Sequence, residues 1–196
     1  MICESEKKSY LRSQNLQIIG QGKLKGIVEI SGAKNSALVL LAASLLTNEK
    51  IILENVPCLT DIEKMVNILR NLGVCFVDKN NKLEIDSKNI SIKELPYELV
   101  NGIRASFFCI GALLTKFGEA KVPLPGGCKI GSRPIDEHIN GLKALGSEIL
   151  IEEGIVKAKI KGKINKLQGT HIKLKCPSVG ATETLVMAAS LAEGRT

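Results

Sequence analysis

Two stretches of the chain change their hydrophobic period at the same place. In MVNILRNLGVCFVDKNNKLEID (65–86) the apolar residues first recur at helical spacing, then alternate as on a pleated strand. HINGLKALGSEILIEEGIVKAKI (138–160) does the same. Leu69-x-x-Leu72-Gly73 lines up with Leu142-x-x-Leu145-Gly146, and each glycine is placed to cap its helix in the left-handed conformation. Beyond it, VCFVDKNNKLEID and EILIEEGIVKAKI each set turn residues between two alternating runs, which predicts a β-hairpin.

A second element recurs as GAKNSALVLLAASLL (32–46), IRASFFCIGALLTKFG (103–118) and VGATETLVMAASLAEG (179–194). Each is a small-residue turn opening into a helix rich in alanine and leucine. Aligning Ala42, Ala112 and Ala188 puts Lys34, Arg104 and Gly180 at equivalent helix starts. Before each an extended segment is expected: GIVEI (26–30), a piece near PYELV (96–100), and HIKLK (171–175). The unit is thus strand, helix, strand, helix, strand, strand, about 70 residues long. Two copies are complete and a third stops after its first helix. A helix apolar on nearly all sides belongs inside. The expected architecture is therefore α/β, with three central helices and sheets around them. The unit demands more chain than Arg195-Thr196 supplies, so a longer whole protein is expected.

Composition narrows the class. At 196 residues, with 44% hydrophobic and 24% charged residues, the chain can bury a core without staples. No apolar run reaches the roughly 18 residues of a membrane span, and the polar start MICESEKKSYLRSQ reads as a disordered lead-in and not a signal peptide. A cytoplasmic protein with free thiols is the expectation. The net charge of +7 suits an anionic partner. Nucleic acid is disfavoured, because there is no tryptophan and only 3% of residues are aromatic to stack bases. The basic run VKAKIKGK (156–163) reads as a solvated strand face whose lysines discourage edge pairing.

Six cysteines and two histidines lack metal-site spacing. Cys75 and Cys109 lie in apolar runs and are expected in the core. Cys128 differs. It sits in PLPGGCKIGSRPID (123–136), too rich in glycine and proline for a regular element. Its neighbours leave it exposed beside Lys129, as a reactive thiol requires. Gly126 and Gly131 have phosphate-loop spacing, but Ser132 stands where that motif needs lysine. Nucleophile, proton donor and inert loop thiol all remain open for Cys128. His138 opens the next helix as a cap or a substrate contact. Free N–H groups and the helix dipole favour an anion at the repeated helix starts, where Lys34 and Arg104 add charge. Arg133 adds a planar fork suited to phosphate or carboxylate.

LKGIVEISGAKNSAL, the arginine of IRASF, PLPGGCKIGSRPID and PSVGATET together resemble the UDP-N-acetylglucosamine 1-carboxyvinyltransferase family, enolpyruvyl transferases of peptidoglycan synthesis. The likeness covers residues 16 to 196, about the first half of a family member. It implies an inside-out α/β barrel, enolpyruvyl transferase-like and incomplete here. Residues 1–13 would be the lead-in and 14–33 initial strands of a mostly absent C-terminal domain. Residues 34–196 would be the N-terminal catalytic domain with its third repeat truncated. By the same resemblance Lys34 and Asn35 contact phosphoenolpyruvate, while Arg104, Arg133, Pro134, Ile135, Asp136 and Glu137 hold UDP-N-acetylglucosamine. Cys176, Pro177, Ser178 and Val179 form another UDP-contacting stretch, with Cys176 where some members carry lysine. Cys128 matches the proton donor alkylated by fosfomycin. A thiol with a free pKa of about 8.5 is protonated at neutral pH and suits that role.

The implied reaction adds the sugar 3′-hydroxyl to C2 of phosphoenolpyruvate with protonation at C3, then eliminates phosphate. It implies no metal and no organic cofactor. The family's aspartate base lies beyond Thr196, so the missing C-terminal half is an expected partner and the chain alone is expected to be inactive. A 5-enolpyruvylshikimate-3-phosphate synthase-like transferase is the enzyme alternative, against which GGCKIGSRP counts. A basic, non-enzymatic binding scaffold is the other.

Overall fold

The computed structural model describes residues 20, 22–23, 25–79, 82–91, 95–100, 103–125, 134–162 and 165–196. Two similar units follow each other. In the first, α1 (Lys34–Ala43) leads through a 3₁₀ turn (Ser44–Leu46) to β1 (Ile51–Glu54), α2 (Thr60–Asn71) and the hairpin β2 (Cys75–Lys79) and β3 (Lys82–Asp86). After a short helix α3 (Tyr97–Val100), the second opens on a 3₁₀ turn (Arg104–Phe108) that runs into α4 (Cys109–Phe117). Then come β4 (Glu119–Pro123), α5 (Asp136–Ala144), β5 (Ser147–Glu152) and β6 (Ile155–Ile160). Last is α6 (Val179–Ala189).

The repeat extends to register. Each unit makes one antiparallel three-stranded sheet, ordered β1-β3-β2 and β4-β6-β5. Ile51 pairs with Ile85 in the first, and Val122 with Val156 in the second. Both expected hairpins are present, and the helices before them end at Gly73 (φ +98°) and Gly146 (φ +95°). That left-handed backbone costs glycine little and other residues more, so the aligned glycines set the turn into each hairpin.

The buried helices lie inside and the sheets outside. Residues Cys109 to Thr115 of α4 are all buried, and α4 packs against α6, β4, β6 and α1. The α4–α6 approach depends on Gly111, where a Cβ would run into the Thr184 carbonyl. One face of α1 (Ala37, Leu38, Leu41, Ala42) is likewise buried. α1 and α6 are not enclosed as their composition suggested, because Leu40 and Val186 stay exposed. A helix is buried only where another element covers it, and no described element covers those sides.

Other expectations need correction. Residues 26–30 and 171–175 have no ladder partner among the described residues, and Ile27, Val28 and Ile30 are exposed. The expected extended piece near 96–100 is instead α3, whose Val100 amide reaches the Pro96 carbonyl. The lysine-rich β6 is the central strand of its sheet, not an edge. Its alternation explains why: Val156, Ala158 and Ile160 point into the core, while Lys157 faces solvent and bonds Glu152 at 2.7 Å.

Candidate active site

Both complete units begin their buried helices with a cation, and the structure puts those starts in contact. α1 opens at Lys34 with Ala33 as N-cap, so no side chain caps its first turn. Lysine here opposes the helix dipole and leaves free N–H groups beside an ammonium, the arrangement of an anion site. Lys34 Nζ lies 2.7 Å from Asp61 Oδ2 in the first turn of α2, and both side chains are partly exposed. Asn35 is exposed in the same helical turn. Sequence reasoning missed Asp61, because an acid in a first helical turn looks like ordinary dipole compensation.

Arg104 opens a 3₁₀ turn and not an α-helix, which begins only at Cys109. This turn packs against α1 on one side and α6 on the other. The half-buried Arg104 therefore opens a turn that touches both α1 and α6.

Two predicted segments meet at α6. Pro134 and Ile135 lead into α5, whose first turn holds Asp136 and Glu137. Glu137 Oε2 accepts the Lys175 backbone N–H at 2.9 Å, fixing α5 beside the chain that continues through exposed Cys176 and Pro177. Ser178 caps α6, its hydroxyl accepting the Ala181 N–H at 3.3 Å, and Val179 is 76% exposed. The helix start thus presents a polar turn to solvent.

His138 lies beneath these segments. It is only 5% exposed, meets the Phe107 ring edge-on at 5.4 Å, and would stand 3.3 Å from a Cβ at Gly180. Burial first, then the nearby Arg104 charge, pushes its pKa down to about 4. Glu137 and the Ile135 backbone pull the other way. The ring interacts with the Ile135 backbone, but Nδ1 has no partner of full hydrogen-bond geometry among the described residues.

Cys128 and Arg133 lie outside the described residues, and so does the loop from 126 to 133. Of the other cysteines, Cys109 is buried as expected, and burial pushes its thiol up to about 12. Cys75 is exposed, because the strand period sends Phe76 inward and Cys75 outward. Cys58 is disulfide-bonded, against the expectation of free thiols throughout. Among the described residues no group of three or more metal-ligating side chains could hold an ion, and no helix is long and apolar enough to cross a membrane.

Known proteins share this organisation. A protein of Prochlorococcus marinus (strain MIT 9312) called UDP-N-acetylglucosamine 1-carboxyvinyltransferase is 83% identical over all 196 residues. A protein of the same name from Parasynechococcus marenigrum (strain WH8102) is 58% identical over 181 residues, 92% of this chain. The chain spans 43% and 42% of their lengths, less than half. Among solved structures, the enolpyruvyl transferase NikO from Streptomyces tendae superposes with a TM-score of 0.70 at 22% identity, covering 89% of this chain and 41% of that one. EPSP synthase from Acinetobacter baumannii gives 0.65 at 18% identity, covering 86% and 39%. These two likenesses show the fold. The profile of the EPSP synthase (3-phosphoshikimate 1-carboxyvinyltransferase) family matches residues 18–196, and the chain belongs to that family.

Proposed function

We propose that this chain forms the acid-bearing half of an enolpyruvyl transferase acting on phosphoenolpyruvate and UDP-N-acetylglucosamine, in peptidoglycan synthesis. The observation that carries the reading is the 83% identity, across the full chain, to a protein named for that activity. In this reading Lys34 and Asn35 take the phosphate and carboxylate of phosphoenolpyruvate. Arg104, Arg133 and residues 134–137 take the UDP-sugar with residues 176–179, and Cys128 donates the proton to C3. The free N–H groups at the starts of α1 and α6 suit anionic groups, which supports the assignment. Lys34 and Arg133 would neutralise charge that grows as phosphate departs.

The same reading makes residues 34–196 most of one domain and groups 14–33 with the remainder of the longer protein. Exposed Ile27, Val28 and Ile30, and an apolar groove along α6 lined by Ile172, Leu174, Leu185, Val186 and Ala189, are surfaces that remainder would cover. Fixing both reactants is worth roughly 7–11 kcal/mol of barrier and needs both walls of a cleft. The chain alone should therefore release no phosphate from phosphoenolpyruvate plus UDP-N-acetylglucosamine. Adding a polypeptide equivalent to the rest of the Prochlorococcus relative should restore release. Robust turnover by residues 1–196 alone, or none after complementation, would overturn the reading.

A further inference from the structure

We propose that His138 is a positioning residue, setting the N-terminus of α6 against α5 and the Arg104 turn so that three separate segments form one UDP-binding wall. The inference rests on the UDP-sugar reading above and names a residue that this reading does not use.

Three observations point to it. His138 is in contact with, or adjacent to, every segment of that wall: it directly follows Glu137 in α5, meets Phe107 of the Arg104 turn, and abuts Gly180 at the start of α6. A Cβ at 180 would stand 3.3 Å from Nε2, so a side chain there would make the imidazole shift. Second, the imidazole is a poor choice as mere filling. Its buried Nδ1 lacks a partner of full hydrogen-bond geometry among the described residues, which leaves a cost that the Ile135 backbone offsets in part and that an apolar ring of similar shape would avoid. Third, the ring is held neutral by burial and by Arg104 from the neighbouring turn, opposed by Glu137 on its own helix. A neutral ring lets Arg104 lie close without repulsion. Protonation would set two cations against each other under the wall.

The test replaces His138 by Phe, which keeps the ring and removes the nitrogens, and by Gln, which keeps polar atoms. Hydrogen exchange at Ala181 and Thr182, the α6 amides that bond to Ser178, reports positioning without any ligand. Calorimetry with UDP-N-acetylglucosamine reports its consequence. H138F should match or exceed the parent in thermal stability, yet raise exchange at those two amides about tenfold and weaken UDP-N-acetylglucosamine binding by a similar factor. H138Q should change both less. Unchanged exchange in both variants overturns the proposal, as does a loss of stability that accounts in full for faster exchange everywhere in the chain. If exchange at α6 rises but the parent itself binds no UDP-N-acetylglucosamine, the positioning role stands and the UDP reading fails.

Discussion

Lys34 Nζ and Asp61 Oδ2 are 2.7 Å apart, so the first turn of α1 is tied to the first turn of α2 across 27 residues of sequence. Both groups are partly exposed, and such pairs contribute only about 0–1 kcal/mol to stability. K34Q should therefore leave the melting temperature nearly unchanged. It should nonetheless weaken phosphoenolpyruvate binding about tenfold or more, because an ionised donor to phosphate is lost. Calorimetric titration beside a thermal melt checks both halves. Equal affinity in K34Q would remove Lys34 from the site.

His138 predicts acid sensitivity. Its folded pKa of about 4 lies below the ordinary 6.5, so the unfolded chain binds the proton more readily. The neutral ring's contribution is present in full above pH 6.5 and is lost as pH falls from there through about 4, up to roughly 3 kcal/mol. Urea unfolding between those limits should show the slope, and H138F should flatten it. The chain has only two histidines, so the ¹⁵N resonances that follow the titration are easily assigned.

Thiol chemistry should separate the cysteines. Limited iodoacetamide treatment of the native protein should label Cys75 and Cys176, which are exposed, and spare buried Cys109. Cys128 should label faster than either if the proton-donor proposal holds. Mass mapping gives the order, and early labelling of Cys109 would contradict the placement of α4.

At Gly111 a side chain has nowhere to go, since a Cβ meets the Thr184 carbonyl of α6. G111A should destabilise by about 1–3 kcal/mol through overpacking between the helices, despite the better helix propensity of alanine. Urea melts measure it. A neutral or stabilising result would mean the two helices can part without cost.

The sequence by itself determined the local architecture. The switch from helical period to alternation, with Gly73 and Gly146 at the switch, foretold two helix–hairpin units because period and turn conformation are properties of neighbouring residues. It also marked Lys34, Arg104 and Gly180 as helix or turn openings. The tertiary structure decided which openings meet. Lys34–Asp61 and Glu137–Lys175 join residues far apart in sequence, and no periodicity encodes such pairs. It also decided burial for short apolar runs. The alternation around Cys75 does not say which face turns inward, so the exposed thiol emerged only when β2 paired with β3. Residues 26–30 and 171–175 make the same point in reverse. Their pattern is that of strands, yet a strand exists only beside a partner that takes up its N–H and C=O groups, and the described residues offer none.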